Sequence, residues 1–151
     1  LLSMLDEIKD IQNKRAERIK NQMPTECRAL CGKRVVFLGD SITSDNLGYQ
    51  DTVTLAGELL ATDGAVSGAT SSMILHSAKT HIEKSKSDIV SIMIGSNDSV
   101  CIGSGTLTQV SLSEYQRNVK NIVGWAVKNG AKVLLFEIPP VSEKRFKKSN
   151  C

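Results

Sequence analysis

The residue best placed to do chemistry is a serine set directly behind an apolar run: Gly39-Asp40-Ser41-Ile42-Thr43 follows Val35-Val36-Phe37-Leu38. A side chain just past the C-terminal end of a buried strand stands where an α/β sheet presents its functional groups. Gly39 permits the sharp turn that keeps the hydroxyl exposed. Two further turns follow apolar segments, Ser67-Gly68-Ala69-Thr70 and Gly95-Ser96-Asn97-Asp98. Acyl transfer needs a nucleophile and donors aimed at the developing oxyanion, and the three turns supply both. Ser41 would attack, while the backbone amides of Ser41 and Gly68 and the side-chain amide of Asn97 would hold the oxyanion. A glycine at 68 allows close approach to the backbone, and Asn97 offers an NH₂ donor with no charge to desolvate. Each residue has a plainer reading, Ser41 as a helix cap and Asn97 as an ordinary turn residue. The combination is what selects the chemical one. Asp40 reads as an acceptor that steadies its turn, and Asp98 as a cap for the segment after Asn97.

The elements that would position these turns alternate. Residues 34–38 and 89–94 are apolar without alternation, the pattern of strands covered on both faces. Residues 64–66 read as a short strand between them and 132–138 as a fourth, closed by Pro139-Pro140. Tyr49, Val53, Ala56 and Leu60 fall on one helical face, as do Ile74, Ala78 and Ile82. Ser111 and Glu114 form a capping box for a helix whose apolar face is Tyr115, Val119, Ile122 and Ala126, with Gly130 as its stop. Trp125 and Tyr115 read as core or partial-core residues. This β-α-β-α-β-α-β order predicts a parallel sheet with helices on both sides and places the three turns on one edge. Residues 99–110 read as a Gly/Ser/Thr-rich loop, with 103–106 a flexible rim of the site. The first 22 residues read as a polar helix with a narrow stripe of Leu5, Ile8, Ile11 and Ile19, ended by Pro24. It packs on the globular body or on a second copy, so a homo-oligomer through this helix is one expectation. The division is an N-terminal helix and linker over 1–30 and an α/β domain over 31–151.

On these residues the chain resembles the SGNH, or GDSL-type, hydrolases, named for Ser, Gly, Asn and His. The first block is Gly39-Asp40-Ser41-Ile42-Thr43, the second holds Gly68, and the third is Gly95-Ser96-Asn97-Asp98; the likeness covers roughly 33–140. The resemblance implies a three-layer, flavodoxin-like α/β/α fold. It also implies hydrolysis of a small-molecule ester, such as an acetyl group on a carbohydrate or a simple acyl ester, without a cofactor. One departure bears on the chemistry. The family carries a final Asp-x-x-His block whose histidine is the serine's base. The only histidines here, His76 and His81, lie between the second and third blocks, and residues 141–151 hold neither Asp nor His. A serine without a base is a poor nucleophile, so the 151 residues are expected to be inactive or nearly so, with the Asp/His pair beyond residue 151. His76 as a substitute base would sit about a turn into a helix running away from the site; both histidines read more simply as surface residues. The alternative is a non-catalytic flavodoxin-like module that binds a small ligand or partner at the same edge. Nucleotide or flavin binding lacks a convincing phosphate loop.

Composition narrows the remaining classes. A chain of 151 residues suits one domain with a single core. A net charge of +3 and six aromatics, with little interleaving of aromatic and basic residues, give no nucleic-acid surface. No run is long enough to cross a bilayer, and the basic run at 144–148 reads as a solvated stretch. No leader is visible at the start, although the first residue is not Met and an upstream segment is left open; the expected compartment is the cytoplasm, with Cys27, Cys31, Cys101 and Cys151 as reduced thiols. Cys27 and Cys31 have the spacing of half a zinc site, but no second ligand pair accompanies them, so no metal is expected.

Overall fold

The computed structural model describes residues 2–103 and 107–140; residues 104–106 of the proposed rim, the basic run at 144–148 and Cys151 lie outside them. Along the chain run α1 (Leu2–Gln22), α2 (Pro24–Leu30), β1 (Arg34–Gly39), α3 (Ser41–Ser44), α4 (Tyr49–Gly57) and β2 (Leu60–Asp63). They are followed by α5 (Ser71–Ser85), β3 (Ile89–Met93), β4 (Cys101–Ile102), β5 (Leu107–Thr108), α6 (Leu112–Lys128) and β6 (Lys132–Leu135). Four strands form a parallel sheet in the order β2-β1-β3-β6, and β4 and β5 pair as a small antiparallel ribbon within the segment read as loop.

Successive residues of the central strands point to opposite faces, and the two faces are covered differently. Val36 and Leu38 of β1 and Val90 and Ile92 of β3 join Ile74, Ala78 and Ile82 of α5 and Val119, Ile122 and Ala126 of α6 in the main core. Fully burying an Ile or Leu contributes roughly 1.5–3 kcal/mol, and Leu38, Ile74, Ile82, Ile92 and Ile122 are all in that state. Trp125 and Tyr115 pack against this cluster half-buried. On the other face, Tyr49 at the start of α4 lies edge-on to Phe37, with ring centroids 6.0 Å apart, and against Phe136 at 5.9 Å. Helices α1 and α2 pack outside α4. The result is a three-layer α/β/α fold.

α1 ends at Gln22, as the sequence reading has it, with Met23 outside helical geometry at φ −134° and ψ 56°. Pro24 then opens a second helix that the reading did not anticipate, from a position where its missing N–H costs nothing. Boundaries elsewhere depart from the sequence reading in three places. Leu60, placed on a helical face by spacing, belongs to β2: α4 stops at Gly57, Glu58 adopts a left-handed cap at φ 49°, and the strand begins two residues later. The second strand is therefore Leu60–Asp63, not 64–66. The latter still follow β1, through Gly64 N–H to Phe37 O at 2.9 Å and Val66 N–H to Gly39 O at 3.0 Å. β6 stops at Leu135 and not at 138, because its partner β3 ends at Met93; Phe136 N–H makes one more bond, to Ile92 O.

Candidate active site

β1 is the inner strand between β2 and β3, so the three sequence blocks emerge from adjacent strands on one edge. At Gly39 a Cβ would stand 2.6 Å from Met93 O and inside the Thr43 side chain, so the chain turns there only because no side chain is present. The turn leads into α3, a single helical turn that begins at Ser41. Asp40, 1% exposed, is its N-cap: Oδ1 accepts the Ile42 amide at 3.0 Å, and the Asp40 carbonyl takes the amides of Thr43 and Ser44. Its other oxygen, Oδ2, is buried with no hydrogen-bond partner among the described residues. Thr43 is fully buried and backs the turn. Ser41 itself is exposed, and neither its hydroxyl nor its amide finds a partner among the described residues.

The second and third blocks are tied to each other. Gly68 has φ +77° and open space where a Cβ would stand, so the backbone conformation and not crowding calls for glycine. Its amide has no acceptor among the described residues. Asn97 Nδ2 donates to Ala69 O at 2.9 Å, which uses one of its two amide hydrogens. Asp98 is 4% exposed and does not cap the segment after Asn97. It caps α5 instead: its two oxygens accept the Ser71 amide at 3.1 and 2.9 Å, and Oδ1 accepts the Ser71 hydroxyl at 2.5 Å. A carboxylate on the first amide of a helix also meets the positive end of its dipole. Asn118, fully buried on α6, completes the network by donating to Ser71 Oγ at 3.0 Å and Ser72 Oγ at 2.9 Å.

Ser71 and Asn118 are the site-supporting residues that the sequence reading missed. Asn118 did leave a signal, since it lies four residues before Ile122 on an otherwise apolar helical face. Tyr115 donates to Ile94 O at 3.1 Å, and its ring abuts Gly95, where a Cβ would come within 2.9 Å of it. Burial pushes the Tyr115 phenol up, with the Asp98 charge adding to the effect. A cavity of about 190 Å³ opens beside this block, with Asp98, Ser99, Val110, Tyr115 and Ile138 among its walls; Ser41, Gly68 and Asn97 are not among its lining residues. His76 is exposed and His81 half-buried on α5. The Cys31 thiol donates to Glu58 at 3.5 Å, a bond that raises its pKa above the ordinary thiol value. Among the described residues no group of three or more His, Cys, Asp or Glu is arranged to hold a metal ion, and no helix is long and apolar enough to cross a membrane.

Residues 37–150 match the model of the GDSL-like lipase/acylhydrolase family. The chain belongs to that family. The match begins inside β1 and takes in all three blocks, leaving α1 and α2 upstream of it. Among solved structures, a GDSL-like lipase from Bacteroides thetaiotaomicron is similar at 24% identity and a TM-score of 0.55, covering 83% of this chain and 58% of that one. The esterase EstA from a Pseudoalteromonas species gives 21% identity and 0.56, covering 77% and 66%. A catalytic mutant of an acetylxylan esterase from Geobacillus stearothermophilus gives 24% and 0.56, covering 70% and 59%. The chain thus spans somewhat over half the length of the first of these, and at such identities the likeness is one of fold. No protein of curated function matches the sequence.

Proposed function

We propose that the protein is a serine ester hydrolase working through an acyl-enzyme on Ser41. The observation that carries this reading is the set of unused groups at one sheet edge. The Ser41 hydroxyl, the amides of Ser41 and Gly68, and one hydrogen of the Asn97 amide all lack partners among the described residues. In the proposed reaction Ser41 Oγ attacks the ester carbonyl carbon and its proton passes to a base. The base returns that proton to the departing alcohol, and water then cleaves the acyl-enzyme to the free acid. The amides of Ser41 and Gly68 and the Asn97 side chain receive the oxyanion, each contributing on the order of 3 kcal/mol to the barrier.

The base is assigned to an Asp/His pair beyond residue 151. Support comes from the acetylxylan esterase, whose described catalytic mutants replace an aspartate and, three residues on, a histidine. The proposed substrate is a small ester, an acetyl group on a carbohydrate or a simple acyl ester. Residues 1–151 hold no Asp-x-x-His block, which favours one second reading, a non-catalytic module that binds a small ligand at the same edge. Hydrolysis of p-nitrophenyl acetate by the full-length protein separates the two. Ser41→Ala is expected to lower kcat by a factor on the order of 10³ or more. Equal rates for parent and variant would remove Ser41 from the mechanism and leave the binding module.

A further inference from the structure

Helix α1 lies outside the family-matched region, yet its side chains reach the segment immediately behind the proposed nucleophile. Gln12 Nε2 donates to Asn46 O at 2.5 Å and to Asp51 Oδ2 at 2.9 Å, and Arg15 donates to Leu47 O at 2.7 Å. Asn46 and Leu47 belong to the short connection from α3 to α4. That connection is tight: Asp45 Oδ1 accepts the Leu47 amide at 2.7 Å, Gly48 N–H reaches Asp45 O at 2.7 Å, and a Cβ on Gly48 would stand 2.8 Å from Asp45 O. Asp45 N–H in turn bonds Ser41 O at 3.0 Å. A continuous chain of contacts therefore runs from α1 through residues 45–48 to Ser41.

A four-residue helix has almost no stability of its own, because fixing its first turn gains so few hydrogen bonds. α3 is such a helix, and beyond the buried Thr43 its position depends on its two ends. Asp40 fixes the first. At the second, the carbonyls of Asn46 and Leu47 accept hydrogen bonds from α1. The rest of α1 is seated independently, through buried Ala16 and the Lys20–Glu58 pair at 2.8 Å, so Gln12 and Arg15 reach the loop from a fixed base.

We propose that α1 is a brace for the Ser41 turn, and that Gln12 and Arg15 are positioning residues which hold residues 45–48 and through them the nucleophile. The catalytic half of this statement rests on the proposed esterase reading; the mechanical half does not. The test is hydrogen exchange of the intact protein carrying Gln12→Ala and Arg15→Ala together. Exchange of the amides of residues 42–48 should rise about tenfold while those of β1 and β3 keep their protection. Lys20→Ala, which removes an α1 contact away from the loop, should leave 42–48 unchanged. In the ester assay the double variant should lose kcat/KM, with Arg15→Lys, which retains a donor, losing less than Arg15→Ala. If the double variant fails to fold, Arg15→Ala alone carries the same exchange readout. Unchanged exchange at 42–48, or an equal rise in β1 and β3, would overturn the brace. A parent protein without esterase activity would instead remove the catalytic reading, and the exchange result would still decide whether α1 holds the turn.

Discussion

The turn carrying Ser41 and the two turns carrying Gly68 and Asn97 share a sheet edge but are fastened by different chemistry. The second and third blocks are joined through the interior, by the Asp98 carboxylate on Ser71, Asn118 on both Ser71 and Ser72, and Asn97 on Ala69. The first block is anchored inside by Asp40 and Thr43, and its far end is held by exposed bonds from α1. Buried bonds to an ionised group are among the strong ones and are costly to leave unmade, whereas exposed bonds compete with water. The turns carrying Gly68 and Asn97 are thus set with the core itself. The Ser41 turn is set by a one-turn helix with fastenings at its two ends, one of them at the surface.

The contrast can be broken most severely at Asp98. Asp98→Ala strands the Ser71 amide and hydroxyl in the interior and should lower stability by about 3 kcal/mol in urea unfolding; a loss well under 1 kcal/mol would mean that the buried network does not fasten the Gly68 and Asn97 turns. Gly39→Ala comes next. The added methyl meets Met93 O and Thr43, and overpacking of this kind should cost about 2 kcal/mol by the same measurement. Asp40→Ala removes only a helix cap and should cost about 1 kcal/mol, with its exchange effect confined to residues 41–45. A cost equal to that of Asp98→Ala would erase the difference between the two sides.

The smallest effect lies at the opposite edge of the sheet, where the Arg34 side chain and amide both donate to Asp88. The side-chain hydrogen bonds from Arg34, then its backbone amide, hold the Asp88 carboxyl near 2, below its ordinary 3.8. A carboxyl depressed by folding stabilises above its unfolded value and loses that stabilisation as pH falls toward the folded one. Thermal stability should therefore drop between about pH 4 and pH 2, and Asp88→Asn should flatten the profile there; an identical slope in the variant would remove Asp88 from acid unfolding.

What the sequence discloses follows from where each signal is local. β1 and β3 are legible because both of their faces are buried, which leaves uninterrupted apolar runs. β2 is misplaced because it is an edge strand with mostly exposed residues, so Leu60-Ala61-Thr62-Asp63 carries no pattern that separates it from the end of a helix. α2 escapes notice because a proline marks a helix start as readily as a stop. The three turns stand out because a polar, glycine-containing segment directly behind an apolar run marks the place where a buried strand meets solvent. Asp98 reads as a cap for its own loop, since the residue it caps lies 27 positions earlier and no local rule points back to Ser71. The clamp from α1 is equally hidden, because Gln12 and Arg15 are ordinary surface residues until tertiary packing sets them over residues 46 and 47.

The strand order has a consequence during synthesis. β1 sits between its neighbours, yet its partner β3 is made 54 residues after it, with Val35 set against Ile89. At ribosomal speeds that interval lasts about 3–10 s. Throughout it, Val36 and Leu38 have no completed interior to enter, and they form a sticky segment on a nascent chain. The piece of polypeptide that will carry the serine thus stays uncovered until the residues that pack on it have been translated.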